Sequence, residues 1–270
     1  MKHTVLITGG SGGIGFALAE QFAAHGDSVL LAASNAVRLE EAKTSLEKKH
    51  GASVSVYTAD LAVPGGAETL YRAVCADGKR VDILVNNAGF GDYAEFVESD
   101  WEKQERMVTL NITTLMHLCR LFGAEMKARR SGRILNIASC AAFSAGPYMS
   151  VYYASKAFVL SFSQAIDEEL REYGVTVTAL CLGPTSTHFT EAAEMHGSTM
   201  FKKIKPDTPE AVAKTGYRAV MQDRCVKFHG VPTKMMSVAV RFSPRILSRR
   251  FAKNINAKPP ASFSGKTEGK

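Results

Sequence analysis

No stretch of this sequence is apolar over the ~20 residues that a membrane-spanning helix needs. Its hydrophobic residues, 46% of a 270-residue chain, are therefore available for a globular core large enough to sustain one domain. Metal-ligand spacings are missing as well. The seven histidines form no H-E-x-x-H pattern and the cysteines no C-x-x-C pair, so neither a structural nor a catalytic metal is expected. Cys75, Cys119, Cys140, Cys181 and Cys225 are odd in number and scattered; this excludes a disulfide framework and predicts reduced thiols buried in a core. Nor is there room for a signal peptide, because TVLIT at 4–8 already reads as a core strand behind Met1, Lys2 and His3. A cytoplasmic protein is expected.

Acidic residues are almost missing from the last fifth of the chain. From Arg224 to Lys270 there are eleven Lys/Arg against Glu268 alone, a net of +10 within a total of +7. Residues 1–223 thus carry −3, which argues against a nucleic-acid-binding core and moves the question of an acidic partner to the C-terminus.

Short β-branched runs alternate with helical patterns. Strands are predicted at 4–8, 28–32, 53–57, 82–86, 133–138, 175–182 and 226–230, with helices over 14–25, 36–49, 66–77, 101–129 and 154–173. Strands this apolar, separated by helices, fit a doubly wound parallel α/β sheet covered on both faces, a Rossmann-type fold. No repeat or linker divides it. The expected domain covers 1–230, with a substrate loop at 184–206, basic amphipathic helices at 231–256 and a polar, disordered tail at 257–270.

ITGGSGGIGFALAE runs from the first strand into the first helix. Two glycine registers fit: Gly10, Gly12 and Gly15 as G-x-G-x-x-G, or Gly9, Gly13 and Gly15 as G-x-x-x-G-x-G after Thr8. In either, residues without Cβ let the backbone approach a pyrophosphate whose charge sits at the helix N-terminus. Dinucleotide sites often place an acid some 20 residues on, bonded to the ribose 2′-hydroxyl. Here the second strand ends in Ala33, Ser34 and Asn35. With no carboxylate to repel a 2′-phosphate, Ser34 and Asn35 as donors and Arg38 as a cation favour NADP, with NAD as the alternative. Arg38 reads equally well as a solvated helix residue.

VYYASKAF at 151–158 puts two tyrosines ahead of a lysine. Tyr152 is four residues and Tyr153 three residues from Lys156, and both spacings make helix neighbours. An ammonium beside a phenol favours the phenolate, lowering the tyrosine pKa from ~10 towards neutrality and readying it for proton exchange with a carbonyl oxygen. Spacing does not choose between the two tyrosines.

Thr8-Gly9-x-x-x-Gly13-Ile14-Gly15, the NNAG run Asn86-Asn87-Ala88-Gly89, Ser139 after the fifth strand and Tyr152-x-x-x-Lys156 together resemble the short-chain dehydrogenase/reductase family, over roughly residues 3–230. The resemblance selects the second glycine register, with Ser11 and Ile14 in the cofactor turn, and it selects Tyr152. It implies that Ser139 polarises the substrate oxygen, Tyr152 is the general acid/base, and Lys156 lowers its pKa and binds the nicotinamide ribose. It implies a proton-relay water held by Asn111, which reads otherwise as a buried helix asparagine bonded to backbone. Asp60 and Leu61 would lie near the adenine, and Asn87, Ala88 and Gly89 beneath the cofactor. In the loop beside the nicotinamide, Gly183, Pro184 and Thr187 match the family's P-G-x-x-x-T, except that the proline follows the glycine.

The resemblance places substrate between CAAFSAGPYM at 140–149 and HFTEAAEMHGSTMFKKI at 188–204. Phe143, Met149, Phe189, Met195 and Met200 would make an apolar, adaptable pocket for a hydrophobic ketone, aldehyde or alcohol. An NADPH-dependent carbonyl reductase is the expectation, acting as a homodimer or homotetramer. The alternatives are a nucleotide-sugar epimerase or dehydratase, which shares Y-x-x-x-K but not this glycine spacing, and a non-catalytic NADP-binding regulator. At 234–253 six Lys/Arg and no acid interleave with Met, Val, Phe, Ile and Leu; this fits a helix pair lying on an anionic membrane or covering the pocket mouth or, equally, docked with a solvated basic face. Ser243 is predicted to cap the second of these helices, with Pro244 as its first residue.

Overall fold

The computed structural model describes residues 2–186 and 206–257. Its strands are β1 (Thr4–Thr8), β2 (Ser28–Ala33), β3 (Val54–Thr58), β4 (Ile83–Asn86), β5 (Gly132–Ile137), β6 (Val175–Cys181) and β7 (Val226–Phe228). They form one parallel sheet in the order β3-β2-β1-β4-β5-β6-β7. Successive side chains of a strand point to opposite faces, and both faces are dry here. Val5 and Ile7 of β1 enter one apolar cluster, whereas Leu6 enters the other.

Helices cover each face. On the first lie α1 (Gly13–Ala24), α2 (Ala36–His50) and α7 (Pro209–Met221), through Leu18, Phe22, Leu39, Val212 and Val220. On the second lie α3 (Gly66–Ala76), α5 (Leu115–Ala128) and α6 (Ser150–Arg171), through Leu70, Leu118, Phe122 and Val159. Each such side chain contributes roughly 1.5–3 kcal/mol when fully buried, so these two layers dominate the folding energy. Strand order reverses between β1 and β4, and the crevice beyond the carboxyl ends of those strands is where such sheets bind ligands.

Some boundaries differ from expectation. The helix predicted over 101–129 is α4 (Trp101–Val108), a π-helical turn (Thr109–Thr114) and α5, with right-handed helical backbone at the joints. The wide turn carries two buried polar residues inward: Asn111 reaches the backbone of Phe90, and Thr114 Oγ1 donates to Leu61 O at 2.8 Å. Such turns recur at functional sites. The helix expected from 154 begins at Ser150, so both tyrosines lie in its first turn. Cys119 and Cys181 are buried as expected, but Cys75 is exposed, and Cys140 and Cys225 are half-buried; all five are free.

The chain then forms α8 (Val231–Phe242) and α9 (Arg245–Asn256). Ser243 does not cap α9. Its hydroxyl donates backwards to Ala239 O at 2.9 Å and closes α8, while Pro244 occupies the cap position. The tail beyond 257 lies outside the described residues.

Candidate active site

The first βα turn is shaped by what surrounds it. Gly9 (φ 65°) and Gly13 (φ 53°) hold left-handed conformations that favour glycine. Gly15 is packed so closely that a Cβ would strike Gly9 O and lie 2.5 Å from Asn87 Nδ2. In the competing register, Gly12 is extended (φ −178°) and has nothing within 4 Å of a Cβ position. Gly9, Gly13 and Gly15 are therefore the glycines that the turn needs. Asn87 braces it from the next strand: Nδ2 donates to Thr8 O (2.9 Å) and Gly9 O (3.2 Å), and Thr8 Oγ1 accepts from the amides of Asn87 and Ala88, both at 3.0 Å.

This turn opens onto a cavity of about 500 Å³ whose wall includes Ser11, Gly13, Ile14, Ser34, Arg38, Asp60 and Leu61. It continues past Asn87, Ala88 and Gly89 to Ser139, Met149, Tyr152, Lys156, Gly183 and Pro184. Residues from six loops thus meet in one crevice. Thr8 and Gly15 stand behind the wall rather than on it.

Ser139 lies two residues beyond β5, and its Oγ accepts from Ala141 N at 3.1 Å and hydrogen-bonds Tyr152. Burial raises the Tyr152 pKa above the ordinary phenol value, and the Ser139 bond draws it partly back. This corrects the expectation that the lysine would bring it towards neutrality. Lys156 Nζ lies 5.7 Å from the Tyr152 ring centroid and donates to Ile137 O at 2.9 Å. From there the ammonium does not offset the burial, which pushes Lys156 itself down to about 8. Near pH 7, Tyr152 is a protonated phenol and Lys156 still mostly a cation.

Asn111 is not on the cavity wall. Its amide nitrogen donates to Phe90 O (2.9 Å) and Ser155 Oγ (3.1 Å), and its Oδ1 accepts from Phe90 N (3.2 Å). The side chain fastens the segment after Gly89 to α6, in keeping with the plainer of the two readings given above.

At the far end of the crevice, Asn35 caps α2 by accepting from Arg38 N at 3.0 Å, and it is absent from the wall. Ser34 and Arg38 are on it, both exposed. Asp60 accepts from Ala62 N and pairs with Arg106 (3.0 Å); the amide first, then the guanidinium, holds its carboxyl below the usual range. Arg106 was not foreseen. Nothing in its helix spacing marks it, since the pairing is made across 46 positions.

Phe143 is also off the wall, half-buried against Phe228 with ring centroids 5.8 Å apart. Met149 is on it and buried. Thr187, Phe189, Met195, Met200 and most of the loop expected at 184–206 lie outside the described residues.

Tyr153 lines the cavity too, held from the end of the chain. Its hydroxyl donates to Asn256 Oδ1 (3.2 Å), and Asn256 Nδ2 donates to Pro147 O (3.0 Å), with Asn256 wholly buried. Asn256→Ala should leave a buried hydroxyl and carbonyl without partners, costing about 1–3 kcal/mol each at most. Thermal unfolding would show a drop of several degrees, and an unchanged midpoint would mean that water replaces the amide.

A parallel sheet with a glycine turn at its switch point, and a serine, tyrosine and lysine converging beside it, defines a dinucleotide-dependent oxidoreductase. The short chain dehydrogenase family model matches residues 3–196; the chain belongs to this family. It is 30% identical over 186 residues to a 7beta-hydroxysteroid dehydrogenase of Collinsella aerofaciens, covering 67% of this chain and 68% of that one. The structure of a short-chain dehydrogenase from Sphingobium yanoikuyae in complex with NADPH superposes with a TM-score of 0.80 at 30% identity, covering 88% of this chain and 92% of the other. That of a bulky-bulky ketone specific alcohol dehydrogenase from Comamonas testosteroni gives 0.75 at 27%, with the same coverage.

Proposed function

We propose that this protein is an NADPH-preferring reductase of hydrophobic ketones or aldehydes. The observation that carries the reading is the meeting of Ser139, Tyr152 and Lys156 with the glycine turn in one crevice. The residues fit a dinucleotide. Gly12 leaves open space at the helix N-terminus, where backbone amides and the helix dipole favour a pyrophosphate. Ser34 and Arg38 stand at the end of β2 with no carboxylate between them. Asp60 and Leu61, on the wall, would flank the adenine, and Gly183 and Pro184 would lie beside the nicotinamide with Thr187 expected next to them. A bound nicotinamide supplies the hydride. Tyr152 then gives its proton to the substrate oxygen, while Ser139 donates a hydrogen bond to that oxygen. Lys156 keeps a positive charge near the phenolate that remains.

As a phenol Tyr152 is the proton donor when a carbonyl is reduced, and as a phenolate it is the acceptor in the reverse reaction. Met149, Ala141 and Leu182 give the substrate end an apolar wall. The relatives named for a hydroxysteroid and for bulky ketones support a hydrophobic substrate. Asn111 acts through the backbone of Phe90, or by holding a relay water. A cytoplasmic homodimer or homotetramer, in peripheral contact with a membrane at most, belongs to the same reading. No described helix is long and apolar enough to cross a membrane.

A titration with NADPH and NADH, followed by a panel of ketones and aldehydes, tests the reading. NADPH should bind at least tenfold tighter, a difference of about 1.4 kcal/mol. Ser34→Asp, which puts a carboxylate where the 2′-phosphate would lie, should remove that preference. Binding of neither dinucleotide would defeat the proposal, and tighter binding of NADH would defeat its cofactor choice.

A further inference from the structure

The C-terminal helix pair shows two unlike faces. Its inner face is thin: Thr233, Ala252 and Asn256 are its buried residues. The bonds from Asn256 to Tyr153 and Pro147 fix the end of α9 against the domain and leave the other face outward.

That outer face is apolar and basic together. Val231, Met235, Val238 and Phe242 follow one another at steps of four, three and four along α8, so they form a single stripe. All are exposed, Phe242 at 86%. On α9, Ile246, Leu247 and Phe251 are exposed as well. Seven of the thirteen exposed large hydrophobic residues in the described structure lie on these two short helices. Around them stand Lys234, Arg241, Arg245, Arg249, Arg250 and Lys253, all exposed. Residues 231–257 contain no acid, and none of these six cations has a carboxylate partner among the described residues.

We propose that α8 and α9 dock this protein onto an anionic lipid bilayer surface, lying in the interface rather than crossing it. Twelve residues make a helix of about 18 Å, far short of the ~30 Å hydrocarbon layer. An apolar stripe flanked by Lys and Arg is the arrangement that buries a few ångströms into the headgroup boundary while its charges meet lipid phosphates. A second copy of the chain is the poorer occupant. Interface cores are depleted in charge, and a two-fold contact would bring like cations together. Nucleic acid would meet the charges but leave Phe242, Phe251 and Leu247 without an apolar partner.

The full chain, sedimented with vesicles of phosphatidylcholine alone or mixed with phosphatidylglycerol, decides the matter. It should pellet with the mixed vesicles and stay in the supernatant with phosphatidylcholine. Arg249→Gln combined with Arg250→Gln should lower partitioning roughly twenty-five-fold, at about fivefold per charge. Phe242→Ser and Phe251→Ser should each lower it roughly tenfold. All these side chains are exposed, so an unchanged unfolding midpoint would confirm that the variants are folded. No pelleting with mixed vesicles overturns the proposal, as does pelleting that ignores all three changes. So does a dimer in solution, or binding to duplex DNA, that depends on Phe242 and Phe251 in place of lipid.

Discussion

Tyr152→Phe is expected to give a folded protein that binds NADPH as the parent does and turns over substrate at least a thousandfold more slowly. The change removes one hydroxyl and leaves the ring in place. That hydroxyl is the group bonded to Ser139 Oγ, and a positioned proton donor commonly accounts for 10²–10⁴ in rate. Tyr153→Phe is the control. It removes a neighbouring hydroxyl, but one whose partner is Asn256 rather than Ser139. It should cost stability, about 1–3 kcal/mol through the orphaned Asn256 oxygen, and keep most of the activity. Steady-state kinetics with unfolding curves on both variants separate the roles. If Tyr153→Phe lost turnover and Tyr152→Phe kept it, the assignment would be wrong.

Gly15→Ala should damage the fold and the cofactor site together. The added Cβ meets Gly9 O and Asn87 Nδ2, and neither can retreat, because Asn87 is itself bonded to Thr8 O and Gly9 O. Overpacking of this kind costs typically 1–3 kcal/mol, which corresponds to a fall of about 2–4 °C per kcal/mol in a domain near this size. Any relief that shifts Gly9 also displaces the turn, so NADPH affinity should drop more than tenfold. Gly12→Ala separates the two effects. Its Cβ meets no protein atom within 4 Å and the backbone there is extended. It should therefore melt like the parent and still bind NADPH more weakly, because its methyl group enters the space for the pyrophosphate. Calorimetry and fluorescence titration on both variants would show this, and a Gly15→Ala protein with parental stability and affinity would contradict the packing argument.

The strands were legible because both faces of the sheet are buried: Val5 and Ile7 go to one face and Leu6 to the other, so the centre of TVLIT reads as an unbroken apolar run. Ser139 and Lys156 were legible for a different reason: the family resemblance singled them out, and the strand end and the helix spacing are consistent with it. The letters alone left the glycine register open; the family resemblance chose Gly9, Gly13 and Gly15, and the left-handed backbone at Gly9 and Gly13 against the extended Gly12 agrees with it. What stayed hidden was closed by long-range contacts. Periodicity reports that a residue faces inward, not what it meets. Phe143 could line a pocket or pack on a ring, and it meets Phe228, 85 positions later, at 5.8 Å. Asn35 reads as a ligand donor, and its side-chain oxygen instead caps its own helix three residues on, a local contact within reach of the sequence. The Tyr152 pKa was misjudged because four-residue spacing puts Lys156 near the ring without fixing where its ammonium points.

Asn256 also bears on how the protein is made. Its partners, Tyr153 and Pro147, precede it by 103 and 109 positions, whereas every strand of the sheet ends by Phe228. During synthesis, which proceeds at ~5–20 residues per second, the sheet can close before α9 docks. The wall of the substrate crevice is completed last, when the C-terminal helix docks. A chain cut after β7 would then be a folded sheet with a half-built active site, passing tests of secondary structure while failing as an enzyme.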